Sequence, residues 1–233
     1  MNIFYTPDLS GNEYTLTEEE SKHCVRVLRM GVGDKIQLVD GRGGFYEAEI
    51  IDDNPKRCSV KITDQKKNFG KRNHYLHIAC APTKNIERYE WFLEKSTEIG
   101  IDEITPIDCE HSERTVVKSE RLNKVLVSAM KQSIKAYLPK LNEVISLPEF
   151  VSQKFTGEKY IAHCRDKKST SLKDIYKKGS NVLILIGPEG DFSDNEIKFA
   201  LENGFKEISL GDSRLRTETA ALVACHTVNL LNE

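Results

Sequence analysis

The sequence lacks any long apolar run. Its longest uninterrupted aliphatic segment is the five residues 182–186, whereas a helix that crosses a bilayer needs roughly 20 apolar residues. The opening residues, MNIFYTPD, also lack the basic region followed by an apolar core that marks a secretory signal. We therefore expect a cytoplasmic protein rather than a membrane-spanning or secreted one.

The sequence also lacks the spacings of common metal sites. Its six cysteines, at positions 24, 58, 80, 109, 164 and 225, form no C-x-x-C pair, and no His-x₃-His pair accompanies them. We therefore predict no metal site, because zinc needs convergent ligands at short spacings. Without an export signal we expect reduced thiols, most of them buried as small hydrophobic side chains.

Charge is nearly balanced in total but uneven along the chain. The formal net charge is −2, with 34 basic and 36 acidic residues. Seven basic residues and one acidic residue give +6 in each of two stretches, 54–74 and 114–140, so the remaining chain sums to −14. Two basic stretches in an acidic background indicate a surface that binds a polyanion. Solvated lysine-rich faces explain them equally well.

The pattern of elements predicts two parts. In the first, Thr17 and Glu20 have the spacing of a capping box at the start of a short helix. Short β-branched runs with glycine-rich turns follow, which is typical of a small β-barrel. The polar, basic segment 66–73 is predicted to be the linker. We place the boundary between residues 70 and 71.

The second part alternates strands with helices, which predicts the α/β class with a covered parallel sheet. Its last helix, from Thr217 to Leu231, is apolar almost all round and should be buried on more than one side. The other helices are expected at 86–99, 119–137 and 193–203, and the strands at 75–80, 104–107, 160–164, 182–186 and 208–210.

The strongest candidate for a ligand site is the loop 187–192, sequence GPEGDF, directly after the most apolar strand. Ligands of open α/β sheets bind beyond the carboxyl ends of the strands. The loop has no lysine for a phosphate, and it carries Glu189 and Asp191, with Asp194 close behind. These carboxylates would repel ATP or NAD, whereas S-adenosylmethionine is a cation without phosphate. A tight turn without any ligand is the alternative.

A second polar loop, 211–219, opens the last helix. Glu218 alone is explained by its favourable interaction with the positive helix terminus. Arg214 and Arg216 stand at the same terminus, where cations are disfavoured. Arginines placed against that preference indicate a site that needs positive charge.

These loops resemble those of a known family. Segments 186–192 and 210–220 are similar to the cofactor loops of the RsmE family, bacterial SPOUT-superfamily enzymes that methylate uridine N3 in small-subunit ribosomal RNA. Segments 23–31, 94–100, 113–118 and 131–133, with Pro139, resemble the family in the same order, so the resemblance covers nearly the whole chain. The family often has Gly-Arg where this chain has Ile134-Lys135. A lysine loses the planar fork of arginine, so Lys135 is at most a phosphate contact.

The resemblance implies a PUA-like RNA-binding β-barrel over residues 1–70, followed by a SPOUT methyltransferase domain with a C-terminal trefoil knot over 71–233. It also implies a homodimer, S-adenosyl-L-methionine as the cofactor, and 16S ribosomal RNA of the small subunit as the substrate. The cofactor-binding residues that it implies are Ile186, Gly187, Glu189, Gly190, Leu210, Gly211, Leu215 and Arg216.

The chemistry of N3 methylation adds candidate catalytic residues. Uridine N3 is a poor nucleophile until its proton leaves, and the resulting anion spreads charge onto O2 and O4. Arg216 is the candidate partner of that charge. Glu218 is the candidate for orienting Arg216 or for accepting the proton, although a capping role explains it almost as well. The candidate RNA contacts are Arg26, Arg29, Arg114, Lys118, Lys131 and Lys135.

Two alternatives to this function stay open. A non-enzymatic RNA-binding protein could keep the fold, and S-adenosylmethionine should then not protect it against heat. A SPOUT enzyme that methylates a ribose 2′-hydroxyl would have related loops, and mapping of the methylated nucleotide would distinguish it.

Overall fold

The computed structural model describes residues 2–164 and 170–233, and the chain forms two compact units. The N-terminal unit comprises Met1–Lys71 and Met130–Leu138, and the C-terminal unit comprises Arg72–Ala129 and Pro139–Glu233. No helix in the described residues is long and apolar enough to cross a membrane.

The N-terminal unit is built on a five-stranded sheet in the order β1-β3-β4-β5-β2. Register shifts interrupt the pairing of β4 with β5 at two places, and such bulges bend a strand. The predicted barrel is thus a bent sheet, and its edge strands β1 and β2 do not pair with each other within the described residues. Its elements are β1 (Ile3–Tyr5), β2 (Glu13–Thr15), α1 (Glu18–Lys22), a π-helical turn (His23–Val27), β3 (Lys35–Val39), β4 (Phe45–Asp52) and β5 (Ser59–Lys66).

Residues 130–138 belong to this unit, although the sequence places them in the second part. Their apolar side chains are buried here, with Met130 and Ala136 in one cluster with Val39 and Phe45. Gly43 donates its N–H to the carbonyl of Ala136 at 2.8 Å. A Cβ at Gly43 would lie 2.4 Å from the Tyr137 ring. The glycine therefore permits this close approach.

The predicted linker is not a free connection. Strand β5 continues to Lys66, and the Phe69 ring stacks on Phe45 with 4.5 Å between ring centroids. The Phe69 N–H also donates to the Gly43 carbonyl at 2.9 Å. Much of segment 66–73 is therefore part of the N-terminal unit, because its one aromatic side chain has a partner there.

The C-terminal unit contains the predicted parallel sheet, in the order β11-β13-β10-β12-β6-β7-β8, with β9 paired to β7. The central strands β6 and β12 are buried along their whole length, as continuous apolar runs predict. The elements are β6 (Leu76–Cys80), α2 (Ile86–Ile99), β7 (Glu103–Asp108), α3 (Ser119–Gln132), β8 (Lys140–Leu141), β9 (Ile145–Ser146), α4 (Leu147–Val151), β10 (Glu158–Ala162), β11 (Thr170–Ser171), α5 (Leu172–Ile175), β12 (Val182–Ile186), α6 (Asp194–Glu202), β13 (Lys206–Ser209) and α7 (Thr217–Asn232).

Two helix predictions need correction. Helix α3 ends at Gln132 rather than Tyr137, because Ile134 has a left-handed backbone with φ +57° and breaks the helical path. Helix α7 buries one face in this chain, while Leu222 and Val223 are half-buried and Leu230 is 55% exposed. The prediction that α7 is buried on more than one side is therefore wrong for the single chain.

Candidate active site

A cavity of about 960 Å³ opens at the carboxyl ends of β10, β12 and β13 in the C-terminal unit. Loops that leave neighbouring parallel strands meet at this edge, which is the usual ligand site of an open sheet. We call it the strand-end cavity. Its lining consists of residues 162–164, 186–189 and 208–217, with Asp191 and Ala220.

The loop after β12 is held in a sharp bend by its own polar groups. Asp191 has φ +65°, a conformation that aspartate tolerates better than most residues. Its carboxylate accepts hydrogen bonds from the N–H of Phe192 at 2.8 Å and of Cys164 at 3.0 Å. A Cβ at Gly187 would lie 3.1 Å from the buried Phe192 ring. The carboxylate of Asp191 therefore fixes the loop.

The second predicted loop meets the first in the same cavity. Thr217, the first residue of α7, is buried, and its Oγ1 donates to the carbonyl of Gly187 at 3.0 Å. Gly211 has φ +122°, and no atom lies within 4 Å of the position that a Cβ would take. Glycine is favoured at this position by the backbone conformation of an exposed bend rather than by tight packing.

The structure brings most of the predicted cofactor residues together. Gly190 is outside the lining, since a Cβ there would lie 2.9 Å from the Cβ of His111. This glycine lets the loop pack against the segment after β7, and its direct contact with the cofactor stays a prediction. The predicted residues that do line the cavity are Ile186, Gly187, Glu189, Leu210, Gly211, Leu215 and Arg216.

The lining offers the types of group that S-adenosylmethionine needs. Leu210 and Leu215 are half-buried and supply apolar surface for an adenine ring. Arg214 and Arg216 are exposed cations that suit the amino-acid carboxylate. The Glu189 carboxylate suits the positively charged sulfonium and amino groups of the cofactor. The residues present therefore fit this cofactor.

Two residues of the lining were missed by sequence reasoning. His163 and Cys164 follow β10 and line the cavity. The His163 side chain is 2% exposed, and its Nε2 lies 2.9 Å from Oε1 of Glu207. Cys164 is exposed, whereas the other five cysteines are buried as expected. Their position at the end of a strand beside β12 was the signal that could have identified them.

The two candidate catalytic residues have different surroundings. Arg216 is exposed, lines the cavity and has no ion-pair partner in the part of the chain that the structure describes. Glu218 is buried, is outside the lining, and has Oε1 4.0 Å from Nε of Arg88 on α2. The structure thus pairs Glu218 with Arg88 rather than Arg216.

Arg114, predicted to contact RNA, braces the loop after β6. Its Nε donates to the Thr83 carbonyl at 3.1 Å, and its Nη2 donates to the Lys84 carbonyl at 2.8 Å. Oε1 of Glu189 accepts the Lys84 N–H at 2.9 Å. The guanidinium is therefore engaged with backbone carbonyls, and the same loop is tied to Glu189 in the loop after β12.

The N-terminal unit contains three of the other candidate RNA contacts near its π-helical turn. Arg26 lies in that turn and Arg29 follows it, and both are exposed. Lys131 donates to Oε1 of Glu20 at 2.8 Å. The Glu20 side chain thus pairs with Lys131. Of the two hydrogen bonds of the predicted capping box, the structure shows the one that the Glu20 N–H donates to Thr17 Oγ1. An open groove of about 770 Å³ is lined here by residues 18–20, 22–23, 26–27 and 131.

Many cations of the basic stretch 114–140 are neutralised in the fold. Acidic partners come from elsewhere in the sequence, as with Arg121 and Glu90 at 2.5 Å and Lys140 and Glu103 at 2.9 Å. Lys118 is exposed, and Lys135 is half-buried. The charge along this stretch therefore overstates the positive charge available to a polyanion.

Comparison with known proteins identifies the domains. Residues 71–229 match the model of an RNA methyltransferase domain, and residues 16–63 match that of an RNA methyltransferase PUA domain. The "Ribosomal RNA small subunit methyltransferase E" of Rickettsia conorii is 31% identical over 221 residues, which cover 93% of this chain and 89% of that protein.

Solved structures agree in fold over the whole chain. A probable rRNA methyltransferase from Porphyromonas gingivalis has a TM-score of 0.94 and 43% identity, covering 100% of this chain and 98% of that one. The ribosomal RNA small subunit methyltransferase E of Neisseria gonorrhoeae, bound to S-adenosyl methionine, has a TM-score of 0.90 and 26% identity, covering 99% and 98%.

A PUA-like sheet joined to a methyltransferase domain with its cavity at the strand ends defines the class of RNA methyltransferases. Within that class, the chain belongs to the ribosomal RNA small subunit methyltransferase E family. The resemblance found in the sequence is confirmed.

Proposed function

We propose that this protein transfers a methyl group from S-adenosyl-L-methionine to N3 of one uridine in 16S ribosomal RNA. The observation that carries the proposal is the strand-end cavity, in which two loops that are far apart in the sequence meet through the bond from Thr217 to Gly187. Family membership supports RNA as the substrate, and the relative from Neisseria gonorrhoeae binds the same cofactor.

The proposed cofactor site consists of the seven predicted residues that line the cavity. The cofactor, when bound, supplies a methyl group that its sulfonium already activates, so the chemistry requires no metal. Leu210 and Leu215 would hold the adenine between apolar surfaces. The Glu189 carboxylate would face the positive groups, and backbone at Gly187 and Gly211 would allow close approach.

The protein must then remove the N3 proton and stabilise the uracil anion. The base has to leave its stack so that N3 reaches the cavity. Arg216, exposed on the cavity wall, would stabilise the negative charge that develops on O2 and O4. Glu218 would accept the proton of N3. Arg26, Arg29 and Lys118 would hold RNA phosphates.

We also propose that two copies of the chain form a homodimer. Leu222, Val223 and Leu230 of α7 are half-buried or exposed in the single chain, and a second copy that covers them would remove apolar surface from water. Light scattering should give twice the mass of 26.5 kDa. Leu230→Glu should shift the protein towards the monomer, whereas a monomeric wild type would contradict the proposal.

Further parts of the proposal concern topology and cellular context. We propose that the five-stranded sheet closes as a PUA-like barrel and that the chain around α7 forms a trefoil knot, a rare exception among folds. Because ribosomal RNA is the substrate, the protein would work in the cytoplasm on the small ribosomal subunit. An experimental structure would test the chain path, and methylation of free RNA against assembled subunits would test the substrate form.

The decisive experiment maps the methylated nucleotide. 16S RNA from a strain without the gene should lack one N3-methyluridine, and the purified protein with S-adenosylmethionine should restore it. A missing 2′-O-methyl group instead would indicate ribose chemistry. If the RNA is unchanged and the cofactor does not raise the melting temperature, a non-enzymatic RNA-binding protein becomes the better interpretation.

A further inference from the structure

The carboxylate of Glu218 is buried without a full set of partners. The residue is 7% exposed, and its Oε2 has no hydrogen-bond donor among the described residues. A buried carboxylate oxygen without a donor is costly and rare in folded proteins. The atom belongs to the first turn of α7, one residue from Thr217 in the cavity wall, and the described residues supply it with no donor.

One cation faces this carboxylate. Nε of Arg88 lies 4.0 Å from Oε1, and the Arg88 side chain is 43% exposed. Arg88 stands in the first turn of α2, where the Asn85 side chain caps the helix by accepting the N–H of Glu87 at 3.1 Å. Thr83 Oγ1 fixes the cap by donating to the Asn85 carbonyl at 2.7 Å. The local backbone, rather than a close bond to Glu218, therefore places Arg88.

Neither Cys80 nor Glu189 supplies positive charge near Glu218. Cys80, at the end of β6, lies within electrostatic range of both Glu218 and Glu189, and burial raises the pKa of its thiol well above the usual value. The thiol is thus neutral, and Glu189 is a second carboxylate. Lys84 interacts electrostatically with Glu189, whereas the cation that the structure places against Glu218 is Arg88.

We infer that Arg88 is a positioning residue, which orients the Glu218 carboxylate and stabilises its negative charge while Oε2 stays unpaired for the uridine N3 proton. The inference rests on the proposed function. The N3–H bond breaks and its proton passes to Oε2. The electron pair left on N3 forms the bond to the methyl group, and the pair of the broken carbon–sulfur bond stays on sulfur, which becomes a neutral thioether.

The test measures the pH dependence of methyl transfer to 16S RNA at saturating RNA and cofactor. Arg88→Gln removes the charge and should move the acid limb of kcat to higher pH by about 1 unit, the lower end of the effect of a neighbouring opposite charge. KM for RNA should change little. Arg88→Lys should restore most of the acid limb, because it keeps the charge.

The matched control is Lys95→Gln on the same helix. Lys95 forms its ion pairs with Glu94 and Glu98, so this variant also removes one positive charge from α2, but a charge that is paired with other carboxylates. Its acid limb should match that of the wild type. An unshifted limb in Arg88→Gln, or an equal shift in Lys95→Gln, overturns the inference and leaves Arg88 with a structural role.

A second measurement separates this inference from the proposed function. A wild-type protein that transfers no methyl group to 16S RNA contradicts the proposed function. In that case thermal unfolding still tests the interaction between Arg88 and Glu218. If Arg88 stabilises the negative charge of the Glu218 carboxylate, Arg88→Gln should lower the melting temperature at pH 7, and the loss should shrink near pH 4 as carboxylates protonate. A loss that is the same at both pH values overturns the inference.

Discussion

Arg216 and Glu218 stand two positions apart, yet only Arg216 faces the strand-end cavity. The two loops of the cavity could be identified in the sequence because each is a continuous segment with unusual residues. It could not predict the partner of Glu218, because Arg88 lies far away in the sequence and meets it through the packing of α2 on α7. The packing of Gly190 against His111 could not be predicted for a similar reason, since His111 comes from another loop.

The first prediction concerns Arg216. If it stabilises charge that appears on uracil only as the proton leaves, Arg216→Ala should lower kcat by about 10²–10³, the cost of losing one oxyanion donor. The affinity for RNA should change far less. Arg214→Ala is the matched comparison, because Arg214 is also an exposed cation of the lining. Equal losses in both variants would mean that the loop needs positive charge but not Arg216 in particular.

A second prediction concerns the bond between the two loops. Thr217→Val keeps the shape of the side chain but removes the donor to the Gly187 carbonyl. Loss of a buried hydrogen bond should lower the free energy of unfolding by about 1–3 kcal/mol, and calorimetry should show weaker cofactor binding. Thr219→Val on the same helix is the control, since no hydrogen bond of its hydroxyl is present in the described residues. If both variants bind the cofactor equally well, the bond does not organise the cavity.

Among the elements, strands were predicted better than helix ends. The apolar runs of β6 and β12 identify buried parallel strands without any knowledge of their neighbours. Short elements such as β8 and β11 have two residues each, which is too few for a periodic pattern. The end of α3 was missed because nothing in its apolar spacing reveals the left-handed backbone at Ile134.

A third prediction follows from that backbone. A β-branched residue with φ +57° is strained, by roughly 1–2 kcal/mol relative to a residue that tolerates this region. Ile134 is 41% exposed, so little buried surface depends on it. Ile134→Gly should remove the strain, and after about 0.5–1 kcal/mol of added chain entropy the protein should gain up to about 1 kcal/mol. Ile134→Ala keeps a Cβ and should give no such gain in urea denaturation.

A polar network joins the amino ends of β6 and β7, at the opposite end of the strands from the strand-end cavity. Nε2 of buried His77 lies 2.8 Å from Thr105 Oγ1. Burial, with a smaller effect of Lys140, lowers the pKa of His77 to about 4, although Glu103 opposes the shift. Burial would raise the pKa of Glu103, but hydrogen bonds from Asn142, Tyr75 and Lys140, together with the charge of His77, lower it to about 2.

A fourth prediction is that this network makes the protein acid-sensitive in two windows. The unfolded chain binds protons more readily at both groups, so stability falls as the pH decreases. His77 contributes between pH 6.5 and about 4, and Glu103 between pH 4.5 and about 2. His77→Gln should remove the first window, worth roughly 3 kcal/mol at 1.36 kcal/mol per pH unit. Denaturation of both proteins at pH 7, 5.5 and 4.5 measures how the free energy of unfolding depends on pH. If this dependence is the same in His77→Gln and in the wild type, His77 is not the source of the first window.

In the whole molecule, charge along the chain and charge on the folded surface differ. The stretch 114–140 is strongly basic in sequence, but Lys124 is paired with Glu120 at 2.9 Å and Lys131 with Glu20 at 2.8 Å. Glu20 lies in a distant segment of the sequence, so a count of the charges within residues 114–140 does not include it. The chain forms two compact units, and the assignment of residues 130–138 to the N-terminal unit depends on contacts of Met130 and Ala136 that only the fold reveals.

The last prediction separates cations that are available to RNA from those already paired. Lys118 is exposed, and the structure shows no carboxylate within ion-pair distance of it among the described residues, whereas Lys124 is paired with Glu120. If Lys118 contacts a phosphate, Lys118→Gln should reduce the slope of log K against log salt by about 0.7–0.9, the value for one released counterion. Lys124→Gln removes the same formal charge from the same helix region, but Glu120 already neutralises it, so the slope should stay near that of the wild type. The measurement is RNA affinity at several salt concentrations. Equal reductions of the slope in both variants would mean that RNA binding follows the total charge of the protein. An unchanged slope in both variants would place the RNA on another surface.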